Sequence, residues 1–453
     1  MDPIEKINPK SQYVISDRLN LFNIPPTLAQ IREVFYTRYE TQTLISECGK
    51  SGGTLVYNIP RDSNFTDLSQ CFLYFKIQLV QNLTTVASTD PVSVCNNLGY
   101  SLIKHTEISL NGRSITPSFH TEHYKKFLES ILFYGKNAKD TRLRTWGFAD
   151  DQPGKMNSLL SYDPTEKKLH TDNSGLLTRR NLFNAATGTA ELCIPLPTDL
   201  ASCSNLLLND IDMQIKLILN NKKFVIMCND LVDYDFVLKQ AYLYMCRVKA
   251  DVPSIRAINT MLSHGETAKY PFRQNVVRLI TLNEGVNTFV IDPVYLGRAP
   301  VRAIAGFVRS SAVNGKFSKN PFNFEHFHLT NLRFILDGKS YPSLDIQPSF
   351  DNNEFIRYYL ELMRMCGISA SNPDSNGISL EQYSNGLTLF GVEFAPSAVN
   401  EIGVFSEVKR GPLRIELQFK DNLTEPVTMV LYLEYENLLE LNFDRKPHFQ
   451  HSI

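Results

Sequence analysis

An all-β chain of two tandem antiparallel β-sandwiches, each carrying one conspicuous helix, is the fold that the sequence predicts. Three features point there: apolar residues alternate with a period of two, only two segments read convincingly as helices, and one series of elements occurs twice in the same order.

The alternation is plainest at Asp210–Asn220, where Ile211, Met213, Ile215, Leu217 and Leu219 fall on one face and Asp212, Gln214 and Lys216 on the other. Gly411–Lys420 repeats it, with Leu413, Ile415, Leu417 and Phe419 set against Arg414, Glu416 and Gln418. Cys71–Val80 and Val427–Tyr435 are also expected to be strands, the first through Leu73, Phe75, Ile77 and Leu79, the second through Val427, Met429, Leu431, Leu433 and Tyr435. Helices are expected over Glu122–Phe133, with Tyr124, Phe127, Leu128 and Ile131 on the apolar face, and over Glu354–Met365, with Ile356, Tyr359, Leu360 and Met363. Thr121 is placed to cap the first helix through its hydroxyl, and Asp351 and Glu354 have the spacing of a capping box.

The duplication shows in short motifs. Thr54-Leu55-Val56-Tyr57-Asn58-Ile59-Pro60 resembles Thr288-Phe289-Val290-Ile291-Asp292-Pro293. Leu110-Asn111-Gly112-Arg113-Ser114 resembles Leu336-Asp337-Gly338-Lys339-Ser340, and each Asn-Gly or Asp-Gly pair follows an alternating run, as a type I′ hairpin requires. In each half a helix follows the hairpin, then a long polar loop (Asp150–Gly175 and Ser369–Gly386), then three strands: Thr189–Ile194, Ile211–Leu219 and Phe236–Tyr244 in the first half, Leu387–Phe394, Leu413–Phe419 and Val427–Tyr435 in the second. Long crossing loops and a single helix per copy suit a jelly roll better than a meander barrel. The expected division is an N-terminal arm (1–30), a first jelly roll (31–249), a second (250–445) and a C-terminal tail (446–453). The boundary is set near Lys249–Ile258, where Asp251-Val252-Pro253-Ser254 interrupts the strand pattern.

Composition agrees with two packed cores. The 453 residues exceed what one hydrophobic core comfortably serves, and 43% are hydrophobic, with 28 Phe and 20 Tyr beside one Trp. Lys plus Arg number 46 and Asp plus Glu 47, a net charge of −1 that argues against tight binding of nucleic acid by the surface at large. It also weakens repulsion between copies. Met1-Asp2-Pro3-Ile4-Glu5-Lys6 opens without the apolar stretch of a signal peptide, and no run reaches the length of a membrane-spanning helix, so a protein made and assembled in water is expected. Eight scattered cysteines, at 48, 71, 95, 193, 203, 228, 246 and 366, lie mostly within apolar runs and read as reduced thiols of an intracellular compartment. Sequons at Asn64, Asn82 and Asn422 are then expected to stay unmodified.

No constellation carries catalysis. Cys48-Gly49-Lys50-Ser51-Gly52-Gly53 ends like a phosphate-binding loop, but the leading glycine is replaced by Ile45, which leaves an ordinary glycine-rich connection. His120 and His123 flank Glu122 with no third ligand in sight, and read as polar residues on the first turn of an exposed helix. His326 and His328 are expected to share one strand face at the rim of a core. Asp150 with Asp151, and Glu434 with Glu436, could form carboxylate pairs, yet such spacing is common on solvated loops and strand faces. The basic pairs Lys125-Lys126, Lys167-Lys168, Arg179-Arg180, Lys222-Lys223 and Lys409-Arg410 stand beside acids and read as solvated. No His-Glu-x-x-His or Cys-x-x-Cys motif occurs, so no catalytic, cofactor or metal residue is expected. The rival class, a carbohydrate-binding or glycan-hydrolysing sandwich, needs an aromatic platform that Trp146, in Arg144-Thr145-Trp146-Gly147-Phe148, does not supply.

Several motifs are similar to those of one known family. Leu21-Phe22-Asn23-Ile24-Pro25-Pro26-Thr27, Ile108-Ser109-Leu110-Asn111-Gly112, Leu128-Glu129-Ser130-Ile131-Leu132-Phe133-Tyr134-Gly135 and Lys319-Asn320-Pro321-Phe322-Asn323-Phe324 resemble the major capsid proteins of Maverick (Polinton) elements and related adintoviruses. So do Asn376-Gly377-Ile378-Ser379 and Leu413-Arg414-Ile415-Glu416-Leu417-Gln418-Phe419, and the resemblance runs in one order from about residue 20 to about 443. It implies a double jelly-roll capsid protein whose homotrimers form pseudo-hexagonal capsomers of an icosahedral shell around double-stranded DNA. It further implies penton and minor capsid proteins as partners, at most weak contact with packaged DNA, and no catalytic residue. The arm Met1–Gln30 is expected to bind a neighbouring subunit or an inner-surface protein.

Overall fold

The computed structural model describes residues 7–449, apart from positions 13, 15, 83, 118, 296, 370, 372–373 and 396–403. In the first half, strands β1 (Ile31–Glu40), β2 (Thr54–Ile59), β3 (Phe65–Gln81), β4 (Ile103–Leu110), β5 (Arg113–Ser114), β6 (Thr189–Pro195), β7 (Met213–Leu219) and β8 (Tyr234–Ala250) surround helix α1 (Glu122–Phe133). After helix α2 (Val252–Ser263) the second half runs through β9 (Ala268–Leu282), β10 (Thr288–Tyr295), β11 (Arg302–Arg309), β12 (Leu329–Leu336) and β13 (Lys339–Ile346). Helix α3 (Ile356–Met365) and strands β14 (Leu389–Glu393), β15 (Leu413–Phe419) and β16 (Val427–Leu441) complete it.

Strand order shows the duplication directly. The first half pairs its strands as β1-β8-β3-β6 and β2-β7-β4-β5, the second as β9-β16-β11-β14 and β10-β15-β12-β13, so each strand has a counterpart in the same place. All these pairings are antiparallel. Both hairpins turn as their sequences require: φ is +47° and +78° at Asn111 and Gly112, and +48° and +76° at Asp337 and Gly338.

Predicted strands and helices fall where expected, with differences that have local causes. Thr121 precedes α1, but its hydroxyl donates to the Val277 carbonyl at 2.9 Å across the molecule and does not cap the helix. The expected capping box at Asp351 and Glu354 does not form; Asp351 lies in a separate 3-10 turn and accepts from Lys420 Nζ at 2.6 Å, and α3 begins at Ile356 without a side-chain cap. The segment read as an interruption opens α2: Asp251 Oδ1 accepts from the Ser254 amide at 3.1 Å, and proline stands in the first turn, where its missing N–H costs nothing. Residues 447–449 of the expected tail add a short strand, β17 (Pro447–Phe449), to β16; residues 450–453 lie outside the described residues.

Two apolar clusters share β16. Met429, Leu431, Leu433 and Tyr435 belong to the second half's core, whereas Val430 and Tyr432, on the other face of the strand, join a larger cluster continuous with the first half's core. Val277, Ile304 and Val308 of β9 and β11 do the same. One outer sheet face of the second half is therefore buried against the first half. A strand covered on both faces is apolar on both.

Candidate functional site

The seam between the halves is built by α1. Its core side carries the predicted Tyr124, Phe127, Leu128 and Ile131, all buried. Its other side, with Glu122, Lys125, Lys126 and Glu129, meets β9 through a network: Lys125 Nζ lies 3.1 Å from Glu122 and 3.2 Å from Asp199, and Lys126 Nζ lies 2.7 Å from Glu129. Asn275 of β9 completes it, donating from its side chain to Glu129 at 2.9 Å and from its amide to Asp199 at 3.1 Å. Burial opposes the charge on Lys125, but Asp199 and Glu122 outweigh it and raise its pKa; burial likewise raises that of Glu122, against the pull of the two lysines. The reading of this turn as an exposed helix start is thus corrected.

The motifs that carry the family resemblance close the seam. Phe322 stacks on Phe127 with ring centroids 4.1 Å apart, and the Pro321 carbonyl accepts from the Tyr124 hydroxyl at 3.0 Å. Asn320 Nδ2 donates to Asp151 at 3.1 Å. The Asn376 carbonyl accepts from Lys139 Nζ at 2.7 Å, and Asn111 Nδ2 donates to the Arg445 carbonyl at 2.8 Å.

Most of the other sequence candidates are structural. The segment from Cys48 to Gly53 is a packed connection against β8, where a Cβ on Gly53 would lie 2.0 Å from the Cys48 carbonyl oxygen. His120 packs on His105 at 4.5 Å, whereas His123 is buried against Phe224 at 4.4 Å, so the two imidazoles do not converge. His326 and His328 do not share a strand face: Phe327 and His328 have φ of +45° and +52° in a turn before β12, where His326 stacks on Phe350 at 4.3 Å. Asp151 is no loop carboxylate on the surface. It is buried and paired with Arg179 at 2.7 Å, while Asp150 meets Lys136 at 2.9 Å. Glu434 and Glu436 are buried too, held by residues of their own half: Arg302 and Arg273 hold Glu434 at 2.6 and 3.0 Å, and the Ser406 amide donates to Glu436 at 2.7 Å. Of the basic pairs, Arg179-Arg180 and Lys125-Lys126 are enclosed structural cations, while Lys167-Lys168 is exposed. Trp146 is buried, edge-on to Tyr100 and to Tyr134, both at 5.4 Å. The eight cysteines are free. Arg302, Arg273 and Asn275 were not singled out in the sequence, and the one signal for them was the unexplained acid in an apolar run at Glu434.

A groove of about 820 Å³ follows the seam on one flank, lined among others by Tyr36, Phe72, Phe133 and Arg142. Its acids, Glu129, Asp199 and Glu434, are each matched by cations and do not form a free carboxylate pair.

The enclosed imidazole makes a prediction. Burial, aided by Lys104, lowers the pKa of His123 to about 3. Above pH 6.5 it is neutral both folded and unfolded; as pH falls from 6.5 towards 3 only the unfolded chain takes up the proton, and stability is lost. Between pH 7 and pH 4.5 this amounts to roughly 2–3 kcal/mol. Urea unfolding of His123→Phe should lose that much of the wild-type pH dependence, and an unchanged slope would refute it.

Two eight-stranded sandwiches in tandem, each ordered in this way, place the chain in the double jelly-roll class. The likeness to solved structures is to viral capsid proteins. VP54 of PBCV-1, fitted into a reconstruction of the virophage Sputnik, has a TM-score of 0.59 at 8% identity, covering 95% of this chain and 100% of its own. The mavirus major capsid protein has a TM-score of 0.51 at 12% identity, covering 99% and 96%. The Faustovirus major capsid protein has 0.51 at 10%, covering 92% of each. In sequence, an uncharacterized protein of Caenorhabditis elegans is 24% identical over 398 residues, 85% of this chain and 90% of its own length. No family model matches.

Proposed function

We propose that the chain is a major capsid protein of the Maverick (Polinton) and adintovirus kind, a non-enzymatic shell protein with jelly rolls at 31–249 and 250–445. Three copies form a pseudo-hexagonal capsomer, and capsomers tile an icosahedral shell around double-stranded DNA, with penton and minor capsid proteins at special positions. One observation carries this reading: the two halves repeat one strand order, and one half presents its flank to the outer sheet of the other. Contacts of that heterologous type close into rings where the rotation from one unit to the next closes. The charge balance leaves packaged DNA a weak or indirect partner. Assembly takes place in a reducing intracellular compartment, in keeping with eight free thiols. The arm reaches a neighbouring subunit or an inner-surface protein, since Leu21, Phe22, Ile24 and Leu28 are exposed.

The test is the mass of the purified chain in solution, expected near three times 51.6 kDa, with six-cornered outlines in negative stain. Removing residues 1–28, and with them Leu21, Phe22, Ile24 and Leu28, should leave trimers intact and abolish their assembly into shells. A single-chain mass at every concentration, or a large thermal shift with a glycan, would overturn the reading.

A further inference from the structure

The network at the seam brings an amine, a carboxylate and a carboxamide together. Lys126 and Glu129 stand about one turn apart on α1, in the first half, and Asn275 stands on β9, in the second. Glu129 bridges them: one of its oxygens accepts from Lys126 Nζ at 2.7 Å, the other from Asn275 Nδ2 at 2.9 Å. The amine and the carboxamide are thus held at the two ends of one carboxyl group, although Glu129 and Asn275 are 146 positions apart in the chain. The neighbouring amine is engaged elsewhere, since Lys125 Nζ is held by Glu122 at 3.1 Å and by Asp199 at 3.2 Å. Asp199 also accepts from the Asn275 main-chain amide at 3.1 Å, which fixes the strand residue against the helix.

Two features go beyond what a structural ion pair needs. Asn275 Oδ1 is enclosed and, among the described residues, has no hydrogen-bond partner, so the carbonyl of this amide is left unsatisfied beside an acid. The Lys126 and Glu129 side chains are only 14% and 16% exposed, and in such a place the form in which a proton has passed from Nζ to the carboxylate escapes the cost of enclosing two charges. At rest the pair is ionised: burial opposes the charge on Lys126, but Glu129 and Asp199 outweigh it and raise its pKa. The neutral form is therefore a minor one, and a reaction passing through it is slow. That suffices for a bond made once in the life of each chain.

We propose that Lys126 and Asn275 join in an isopeptide bond, with Glu129 as the proton carrier, so that the two halves are tied covalently across their seam. Nζ first gives a proton to Glu129. Its lone pair then forms the bond to Cγ of Asn275 while the carbonyl pair moves to Oδ1. Glu129 passes its proton to Nδ2 and takes a second one from Nζ; the carbonyl re-forms and the bond from Cγ to Nδ2 breaks, releasing ammonia. The ammonia takes the second proton from Glu129 and departs as ammonium, which restores the carboxylate and leaves nothing oxidised or reduced. The groove along the seam is lined by all three residues and gives the ion its way out. Holding the reacting groups on a helix and a strand that are already packed together replaces the encounter that two free molecules would need. The bond lies within one copy, so it does not depend on the capsid reading.

The test is the mass of the purified chain under denaturing conditions after prolonged incubation of the folded protein. It should fall below the sequence mass by one ammonia, and a tryptic digest should contain a branched peptide in which Lys126 is joined to Asn275. Lys126→Arg keeps the charge but has no nucleophilic amine, and Glu129→Gln keeps the shape but carries no proton; both, folded by circular dichroism, should lack the branched peptide. If either variant unfolds, the wild-type digest decides alone. A wild type that keeps its full mass, or an ammonia loss that maps to an asparagine other than Asn275 or persists unchanged in Lys126→Arg, overturns the bond.

Discussion

Replacing Arg179 with methionine should destabilise the chain by roughly 3–5 kcal/mol, the range expected when one partner of a buried ion pair is removed. Arg179 is fully buried and its guanidinium reaches three acceptors: the Val94 carbonyl at 2.9 Å, the Ala149 carbonyl at 2.8 Å and Asp151 at 2.7 Å. Methionine fills much of the same volume but offers no donor, so a carboxylate and two carbonyls lose their partner inside the protein. Asp151 would keep only Asn173, at 2.8 Å, and Asn320 of the second half, at 3.1 Å. Urea unfolding at fixed protein concentration measures the loss. The double variant Arg179→Met/Asp151→Asn should recover part of it, because no bare charge is then enclosed. A loss below about 1 kcal/mol for Arg179→Met would show that water reaches Asp151, as at a surface pair.

Arg179 illustrates where sequence reading stops. The pair Arg179-Arg180 has the look of a solvated basic patch, and nothing along the chain shows that Ala149 and Val94 will turn their carbonyls towards it. Strands β7 and β15 were legible because each is covered on one face, so polarity alternates with a period of two. The first, predominantly apolar face of β16 was legible for the same reason, but its second face was not: Val430 and Tyr432 join the cluster shared with the first half, while Thr428 meets Ser310 and Glu434 meets Arg302 and Arg273. Glu434 reads as solvent-facing until Arg302, 132 positions away, is brought against it. Helix α2 was missed for a local reason, since a proline that opens a helix was taken for one that ends a strand. The stripe expected on α3 is split: Met363 is buried and Tyr359 packs against the core, whereas Ile356 and Leu360 are exposed and the buried side is completed by Tyr358, Leu362 and Met365. A row of apolar side chains at helical spacing looks the same whether it enters the core or faces outward, and only the exposure of Ile356 and Leu360 separates the two.

Phe322→Ala should cost about 3–5 kcal/mol, and the form of the unfolding curve should change with it. Phe322 is wholly buried, 4.1 Å from Phe127 in a parallel stack and edge-on to Tyr124 and Phe224 at 5.6 and 5.8 Å. It belongs to the second half, whereas those three rings belong to the first, so its removal opens a cavity at the seam and not within either sandwich. Phe334, by contrast, lies inside the second half's own core. Phe334→Ala should lower the denaturant midpoint by a similar energy while leaving one cooperative transition. Phe322→Ala should broaden the transition or split it in two, because the halves lose part of the contact that makes them unfold together. The same loss should reach the trimer proposed above. Contacts between copies that need both halves in one relative orientation would be weakened once the seam loosens, so Phe322→Ala should weaken association as well. Equal effects of the two alanine variants, on curve shape and on association alike, would mean that the halves are coupled by something other than this aromatic stack.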